Sequence, residues 1–379
     1  MTFSLFNLPY KLAFATLMSI FFYLQAALAH ELDPTIADIE VKSDQLHITI
    51  RLNAEAFLAE LDLDAVTDTD ASNKSQRYDQ LQALPGSEIS QMFTDNASRF
   101  FAGFSVQSSD VLIPLMITGM ATPADSIADI ARQSTLQITG SLPQDANAFS
   151  VSWAKGYGPI VIRQQGVQDP FTGFLNGGET TLAITIKGGG AQSAGAAFLS
   201  YVPVGFDHIL PKGLDHILFV LGLFFLSLRM GPLLWQVSAF TLAHTVTLAL
   251  GALGLVAIPG SIVEPLIAAS IAYVGLENVF SKGLSRWRPM VVFGFGLLHG
   301  LGFASVLGDF GLPAGQFIPA LIGFNVGVEL GQLTVIAFAF LLLGVGFGRK
   351  PWYRSRIANP LSIAISAVGT YWFFERVFM

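Results

Sequence analysis

Ionisable side chains interrupt the apolar second half of the sequence. Two Asp-His pairs, Asp207-His208 and Asp215-His216, stand in the stretch GFDHILPKGLDHILFVLGLFFLSL at 205–228, and the second pair runs directly into a long apolar segment. A charged side chain in hydrocarbon costs about 2.5–3.5 kcal/mol on insertion scales. Imidazole nitrogen and carboxylate oxygen are good ligands for divalent metals such as Ni²⁺, Co²⁺ and Zn²⁺. The pairs therefore indicate a site that handles a metal cation.

More polar side chains follow inside the later apolar segments. They are His244 in FTLAHTV, His299 in GLLHGLGFA, and Asn325 and Glu329 in FNVGVELGQL. At about 1.5 Å per residue, His216 lies about three residues in from the outer surface, the next three about eight or nine, and Glu329 about thirteen. The spacing predicts a ladder of ligands from an outer mouth towards the midplane, with His208 just above the mouth. The predicted metal ligands are His208, Asp215, His216, His244, His299, Asn325 and Glu329.

Each of these residues also has a structural interpretation. A single histidine inside a membrane often makes only a hydrogen bond between helices, and Glu277 is expected near the headgroups, where it could meet Arg286 or Arg288. Three histidines on three helices at converging depths favour a functional site, because unpaired polar groups in lipid are costly.

The charge distribution divides the chain into two unlike parts. Only 12% of the 379 residues are charged, and residues 30–195 hold 20 of the 27 acidic side chains but 9 of the 20 basic ones. An acidic part does not indicate nucleic-acid binding. The chain has no cysteine, so disulfides and thiolate ligands are excluded.

The first part is expected to be exported. Residues 1–29 have one early base, an apolar run and a final Ala-Leu-Ala, which is the pattern of a cleaved signal peptide, so the mature chain would begin at His30. Alternating runs such as IADIEVKSDQLHITIRL predict a mostly β domain over 30–190, with one helix near 87–104 and a loop over 62–86. A metal site at His30, with His47 nearby in sequence, is the less favoured interpretation.

The second part is predicted to be a helical membrane domain over 213–379, after a linker and interfacial segment at 191–212. Six apolar segments are long enough for a core of about 30 Å. They are 213–229, 233–253, 261–280, 289–307, 316–346 and 357–377. Basic residues occupy the first, third and fifth loops and are absent from those near 254–260 and 308–315. The positive-inside rule then predicts that the N-terminal domain and the C-terminus both lie outside the cytoplasm.

Several of these stretches resemble a known family. GLDHILFVLGLFFL, FTLAHTVTLAL, LLHGLGFA, FNVGVELGQL and GTYWFFERVF together resemble the HupE/UreJ family of bacterial membrane proteins, in its longer branch with an exported N-terminal domain. The resemblance covers about 205–379 and implies a nickel or cobalt permease of the inner membrane. The spacing differs from the shorter members, because six residues separate His208 from Asp215 where five are usual, and LLHGLGFA has one histidine where two are expected.

The leading functional prediction is a permease for a divalent transition metal, with nickel or cobalt first and zinc next. No organic cofactor is expected, and no ATPase, because the motif G-x-x-x-x-G-K-[ST] does not occur in the sequence. Two alternatives remain open. One is an intramembrane zinc-dependent hydrolase, and the other is a non-catalytic accessory factor for metalloenzyme assembly. The expected partners are the lipid bilayer, the metal ion and a periplasmic protein that meets the N-terminal domain.

Overall fold

The computed structural model of the protein describes residues 34–65, 72, 74–124, 132–191, 193–281, 283–310 and 316–378, with backbone alone for 304–310. The predicted signal peptide and His30 lie outside the described residues. The described chain has a β-rich N-terminal part and a helical second part, as the sequence predicts.

Two sheets form the N-terminal part. The strands are β1 (Thr35–Lys42), β2 (Gln45–Leu52), β3 (Phe104–Ser108), β4 (Val111–Leu112), β5 (Leu115–Ala121), β6 (Ser134–Ser141), β7 (Ala148–Trp153), β8 (Ile160–Gln165), β9 (Thr172–Leu175) and β10 (Ile184–Thr185). One sheet has the order β5-β6-β2-β1-β8-β9 and the other β10-β7-β3-β4. Both sheets contribute buried side chains to one core. The predicted hairpin is confirmed as β1 and β2, which are antiparallel with Lys42 opposite Gln45 across a turn of two residues with positive φ, Ser43 and Asp44.

The helices of this part correct two predictions. They are α1 (Ala54–Leu58), α2 (Ser75–Gln82), α3 (Gly86–Asp95) and α4 (Ala97–Gly103). The segment 62–86 was predicted as loop, but it contains α2, whose only buried side chains are Tyr78 and Leu81. Two apolar residues three apart are too weak a pattern to predict a helix. The single helix expected at 87–104 is two helices, and its last residue starts β3.

The second part is built of helices. They are α5 (Ala194–Ile209), α6 (Leu214–Leu226), α7 (Met230–Ala252), α8 (Gly260–Phe280), α9 (Arg288–Phe310), α10 (Phe317–Ala339), α11 (Val345–Phe347) and α12 (Asn359–Phe378). π-helical turns at Phe340–Gly344 and Arg354–Ala358 precede α11 and α12.

The described residues contain four or five candidate membrane spans. Among the described residues, four helical stretches are long and apolar enough to cross a membrane: Met230–Ala252, Gly260–Phe280, Phe317–Phe347 and Arg354–Phe378. A fifth exists if α5 and α6, which meet at a bend of 75°, count as one span. All six predicted segments are helical, but α6 has 13 residues, about 20 Å, and cannot cross a core of about 30 Å alone.

Three tight helix pairs surround α6. The pairs are α5 with α10, α7 with α9, and α8 with α12, and each contains glycines where a side chain would overlap the partner helix. A methyl group on Gly327 would meet the Val202 carbonyl of α5, and one on Gly300 would meet the His244 carbonyl of α7. Such contacts are the usual way in which membrane helices approach closely. In the third pair, Gly369 of α12 lies against the backbone of α8 at Ala272.

Helix α5 changes the interpretation of the segment 191–212. The sequence predicts a linker followed by a helix lying at the membrane surface. In the structure, α5 packs along α10, and its residues Ala197, Tyr201 and Gly205 are buried. It is therefore part of the helical bundle.

Candidate metal site

The bend between α5 and α6 brings two predicted ligands together. His208 is next to last in α5, and His216 is the third residue of α6. Their ring centroids are 4.9 Å apart. Gly213 precedes α6, and any side chain there would overlap the His208 carbonyl. His208 is therefore inside the bundle rather than above its mouth, because the chain turns by 75° between α5 and α6.

The pair of α7 and α9 supplies the other two histidines. The His216 ring lies 5.7 Å from that of His244 and 4.9 Å from that of His299, between centroids. The four rings are nearly inaccessible, with 9%, 2%, 0% and 1% of His208, His216, His244 and His299 exposed. We call these four histidines, with Asp215, the histidine cluster.

Two groups of potential ligands lie within this cluster. His208, His216 and His244 can each place one nitrogen so that all three atoms are within 4.8 Å of one another, and so can one ligand atom each of Asp215, His216 and His299. His216 belongs to both groups. Ligands of a tetrahedral ion at about 2.1 Å are about 3.4 Å apart, so side-chain shifts of about 1 Å would close either group around a cation.

Hydrogen bonds fix which nitrogen of His216 is available. Its Nδ1 lies 2.9 Å from Asp215 Oδ1. A carboxylate only accepts, so Nδ1 carries the proton and Nε2 keeps its lone pair. That Nε2 is buried and has no hydrogen-bond partner among the described residues. A carboxylate behind a histidine is the usual arrangement that orients a metal-binding imidazole.

The same logic applies to His244. Its Nδ1 lies 3.2 Å from Asn325 Oδ1, while Asn325 Nδ2 donates to the Leu321 carbonyl at 2.9 Å. Because the second bond orients the amide, Oδ1 faces the ring and accepts from Nδ1. His244 Nε2 is then the lone-pair nitrogen, and it too is buried without a partner in the described part of the chain.

His299 has the opposite tautomer. Ser270 Oγ donates to the Ile267 carbonyl at 2.7 Å, so it accepts from His299 Nε2 at 3.1 Å. This leaves Nδ1 of His299 with the lone pair, 3.9 Å from Asp215 Oδ2, which is beyond hydrogen-bonding distance. Both ring nitrogens of His208 are also unpartnered among the described residues. Four neutral imidazoles thus direct nitrogens that lack partners into one interior region.

Comparison with known proteins identifies the helical part. The family model described as HupE / UreJ protein matches residues 186–376. The chain belongs to the HupE/UreJ family. No curated protein and no solved structure matches it. Members of the family are transporters rather than enzymes and are associated with nickel and cobalt uptake. The protein is thus a multi-pass membrane protein whose helical region contains a buried histidine cluster.

Two predicted ligands of this HupE/UreJ protein lie outside both groups. Asn325 orients His244 through the bond described above. Glu329 is half-buried, and its Oε1 accepts a hydrogen bond of 2.6 Å from Ser238 of α7. The structure thus brings together Asp215 and all four predicted histidines, with Asn325 hydrogen-bonded to His244 and Glu329 paired elsewhere. The role of Asn325 and Glu329 as ligands stays a prediction.

Sequence reasoning missed Ser270, which fixes the tautomer of His299. Serine is common in membrane helices, and nothing in the sequence around Ser270 marks it, since its role depends on which face of α8 meets α9. It also missed the pair of Thr241 and Gln332, whose side chains are hydrogen-bonded at 3.1 Å between α7 and α10. Thr241 and Gln332 are visible in the sequence as polar residues in apolar segments. Their pairing depends on α7 and α10 being neighbours, which the sequence does not show.

A second polar group of this HupE/UreJ protein lies where α9 begins. The guanidinium of Arg288 donates to Gln236 Oε1 at 2.9 Å, to Glu277 Oε2 at 2.7 Å and to Asn278 Oδ1 at 3.5 Å. The expectation that Glu277 meets Arg286 or Arg288 is confirmed for Arg288. The arginine is buried among the helices, at 2% exposure. We call this region, with the adjacent connections 227–229, 281–287 and 348–353, the Arg288 end.

Proposed function

We propose that the protein is a membrane permease for a divalent transition-metal cation, with nickel or cobalt as the first candidates and zinc as the next. The observation that carries this proposal is the set of unpartnered imidazole nitrogens in the histidine cluster. Burying a polar atom without a partner costs about 1–3 kcal/mol. Several such atoms in one place are explained if a cation is their partner.

The shared ligand supports passage rather than permanent storage. Because His216 belongs to both groups, a cation can exchange His208 and His244 for Asp215 and His299 while it keeps one bond. Such an exchange avoids a fully desolvated, uncoordinated ion in the bundle, which would be very unfavourable. The membrane potential contributes about 2.3 kcal/mol per charge per 100 mV to inward movement of the ion.

We infer that the protein lies in a bacterial inner membrane, with the N-terminal domain and the C-terminus outside the cytoplasm. The domains would be a signal peptide at 1–29, a periplasmic domain at 30–190 that meets a protein partner, a connecting segment at 191–212, and the membrane domain at 213–379. Basic residues at the Arg288 end support this orientation, since Arg229, Arg286, Arg349 and Lys350 all belong to its connections.

Reporter fusions test this orientation. A reporter that is active only outside the cytoplasm should work when fused after residue 256, and a cytoplasmic reporter should work after residue 284. The reverse pattern at both positions would exclude the orientation.

Sequencing the mature N-terminus should find His30, and Met1 on the inserted protein would exclude signal cleavage.

Variants that remove one ligand group at a time test the permease itself. Purified protein in proteoliposomes should take up radiolabelled Ni²⁺, Co²⁺ or Zn²⁺. His208→Ala removes a ligand from the first group only, and His299→Ala from the second only. Each is expected to lower uptake at least about tenfold, because losing even a residue that merely orients a ligand costs about 10–100-fold. Equilibrium dialysis should still detect metal bound to the remaining group.

The control for both variants is His47→Ala, since His47 is an exposed residue on β2 opposite Glu40. It should transport and bind as the wild type does. If both cluster variants transport every metal normally, the cluster is structural packing. If the wild type binds Zn²⁺ without transporting it and cleaves a lipid or peptide, the protein is the hydrolase of the alternative prediction. Metal binding with neither transport nor turnover would favour an accessory factor.

A further inference from the structure

The side chains of Thr241 and Gln332 form a buried polar pair between the histidine cluster and the Arg288 end. They are 6% and 0% exposed. Each is on a helix that reaches the cluster, since α7 holds His244 and α10 holds Asn325, whose Oδ1 is hydrogen-bonded to His244. Thr241 is three residues from His244, about 4.5 Å along α7, and Gln332 is seven residues from Asn325, about 10.5 Å along α10. Both steps lead towards the Arg288 end.

The hydrogen bonds of this pair are incomplete. Thr241 Oγ1 faces two acceptors, the Val237 carbonyl at 3.2 Å and Gln332 Oε1 at 3.1 Å, but a hydroxyl has one proton. Gln332 Nε2, which carries two N–H groups, is buried with no partner among the described residues. The pair therefore has an excess of acceptors on one side and unused donors on the other.

A half-turn of the Gln332 amide resolves the first conflict. Nε2 would then donate to Thr241 Oγ1, and the hydroxyl proton would go to Val237. The carbonyl oxygen Oε1 would take the position that Nε2 occupies here, buried without a donor. In that state the pair offers a desolvated amide oxygen next to a hydroxyl oxygen, and both are ligands for a cation. This half-turn is a rotation about the Cγ–Cδ bond of the side chain, and it needs no movement of the backbone.

The neighbourhood of the pair explains why cation ligands at this position are useful. Along α7 from His244 towards the Arg288 end, the next buried polar side chain after Thr241 is Gln236, which accepts a hydrogen bond from Arg288. It is eight residues from His244, about 12 Å. The buried residues Phe240 and Val237 occupy the intervening stretch. A cation that left the histidines without a further ligand would cross this apolar layer bare, which is prohibitive.

We propose that Thr241 and Gln332 form a second binding station for the transported cation, built of neutral oxygen ligands, between the histidine cluster and the Arg288 end. This inference rests on the proposed function. Imidazole binds nickel and cobalt better than amide or hydroxyl oxygen does. The station therefore holds the ion more weakly than the histidines do, and a pathway requires sites weak enough for the ion to leave.

The test is the near-isosteric double variant Thr241→Val/Gln332→Met. Replacing both partners of a buried polar pair by apolar groups of the same shape is close to neutral for stability. We expect equilibrium binding of Ni²⁺ by the purified protein to stay within about twofold of wild type, because the histidine cluster is intact. Uptake of radiolabelled Ni²⁺ into proteoliposomes should fall at least about tenfold.

Three further variants keep the test decisive. Thr241→Ser retains the oxygen and should transport as wild type, whereas Thr241→Val alone should be slow. Thr334→Val is the matched control, because Thr334 is on α10 two residues after Gln332 and its hydroxyl donates only to the Leu330 carbonyl. It should transport normally.

The outcomes separate this inference from the proposed function. If wild-type protein neither binds nor transports any metal, the permease proposal fails. If wild type transports and the double variant transports equally fast, the permease stands and the station is only interior packing. Should the double variant fail to fold, equal transport by Thr241→Val and Thr241→Ser would overturn the station, and slow transport by Thr241→Val alone would support it.

Discussion

His216→Ala is expected to abolish uptake and to lower the affinity for Ni²⁺ at least about 100-fold. His216 is the one histidine that belongs to both ligand groups, so its loss leaves neither group with three ligands. It also removes the acceptor nitrogen that Asp215 holds in place, and loss of such orientation alone costs about 10–100-fold. The effect should therefore exceed that of His208→Ala or His299→Ala.

Equilibrium dialysis and proteoliposome uptake measure this effect together. Thermal unfolding of the purified variant checks that the protein is folded, and His47→Ala serves again as the exposed control. An affinity for Ni²⁺ equal to that of His208→Ala would contradict the assignment of His216 as a shared ligand, because the two variants would then remove equivalent groups.

Arg288→Met is expected to produce the largest loss of stability. The guanidinium bonds to Gln236, Glu277 and Asn278, and its removal leaves the Glu277 carboxylate without its cation in a largely buried position. Breaking a buried ion pair by removing one partner costs about 3–5 kcal/mol. Asn278 itself joins further helices, since its Nδ2 donates to the Gly222 carbonyl and to Ser362 Oγ. If Asn278 loses its position, the packing of both α6 and α12 against α8 should weaken.

The matched control is Arg286→Met, because Arg286 is exposed and only two residues away. Surface substitutions usually change stability by less than about 0.5 kcal/mol. The measurement is thermal unfolding of each purified variant in the same detergent. Equal unfolding midpoints for the two variants would mean that the hydrogen bonds and the ion pair of Arg288 contribute nothing measurable to stability.

The sequence predicted those parts of the site that depend on distance along a helix. His244 and His299 fall at matching depths in separate apolar segments, so counting residues along each segment was enough to predict that they lie at the same level. The position of His208 could not, because it depends on a bend of 75° between α5 and α6. The same bend decides whether α5 and α6 count as one span, because a short apolar helix looks like an independent span until its direction is known.

Contacts between helices were the other limit. Ser270 and Gln332 matter through the helix that each one faces, and no pattern within a single segment reveals that neighbour. In the N-terminal part, the strong alternation of β1 and β2 predicted their hairpin, whereas α2 has only Tyr78 and Leu81 on its buried face and was predicted as loop. Local patterns sufficed where many apolar residues repeat, and they failed where a fold depends on one or two contacts.

The three glycine-containing helix pairs also constrain how this sequence can diverge over time. Where a side chain would overlap a neighbouring backbone, as at Gly300, Gly327 and Gly369, no larger residue fits unless two helices separate. Exposed apolar residues such as Leu242 and Leu341 have no such restriction, and one aliphatic residue can replace another there. Related chains should therefore drift fastest on their lipid-facing surfaces, and a glycine lost from one pair should be accompanied by a compensating smaller residue on the helix opposite.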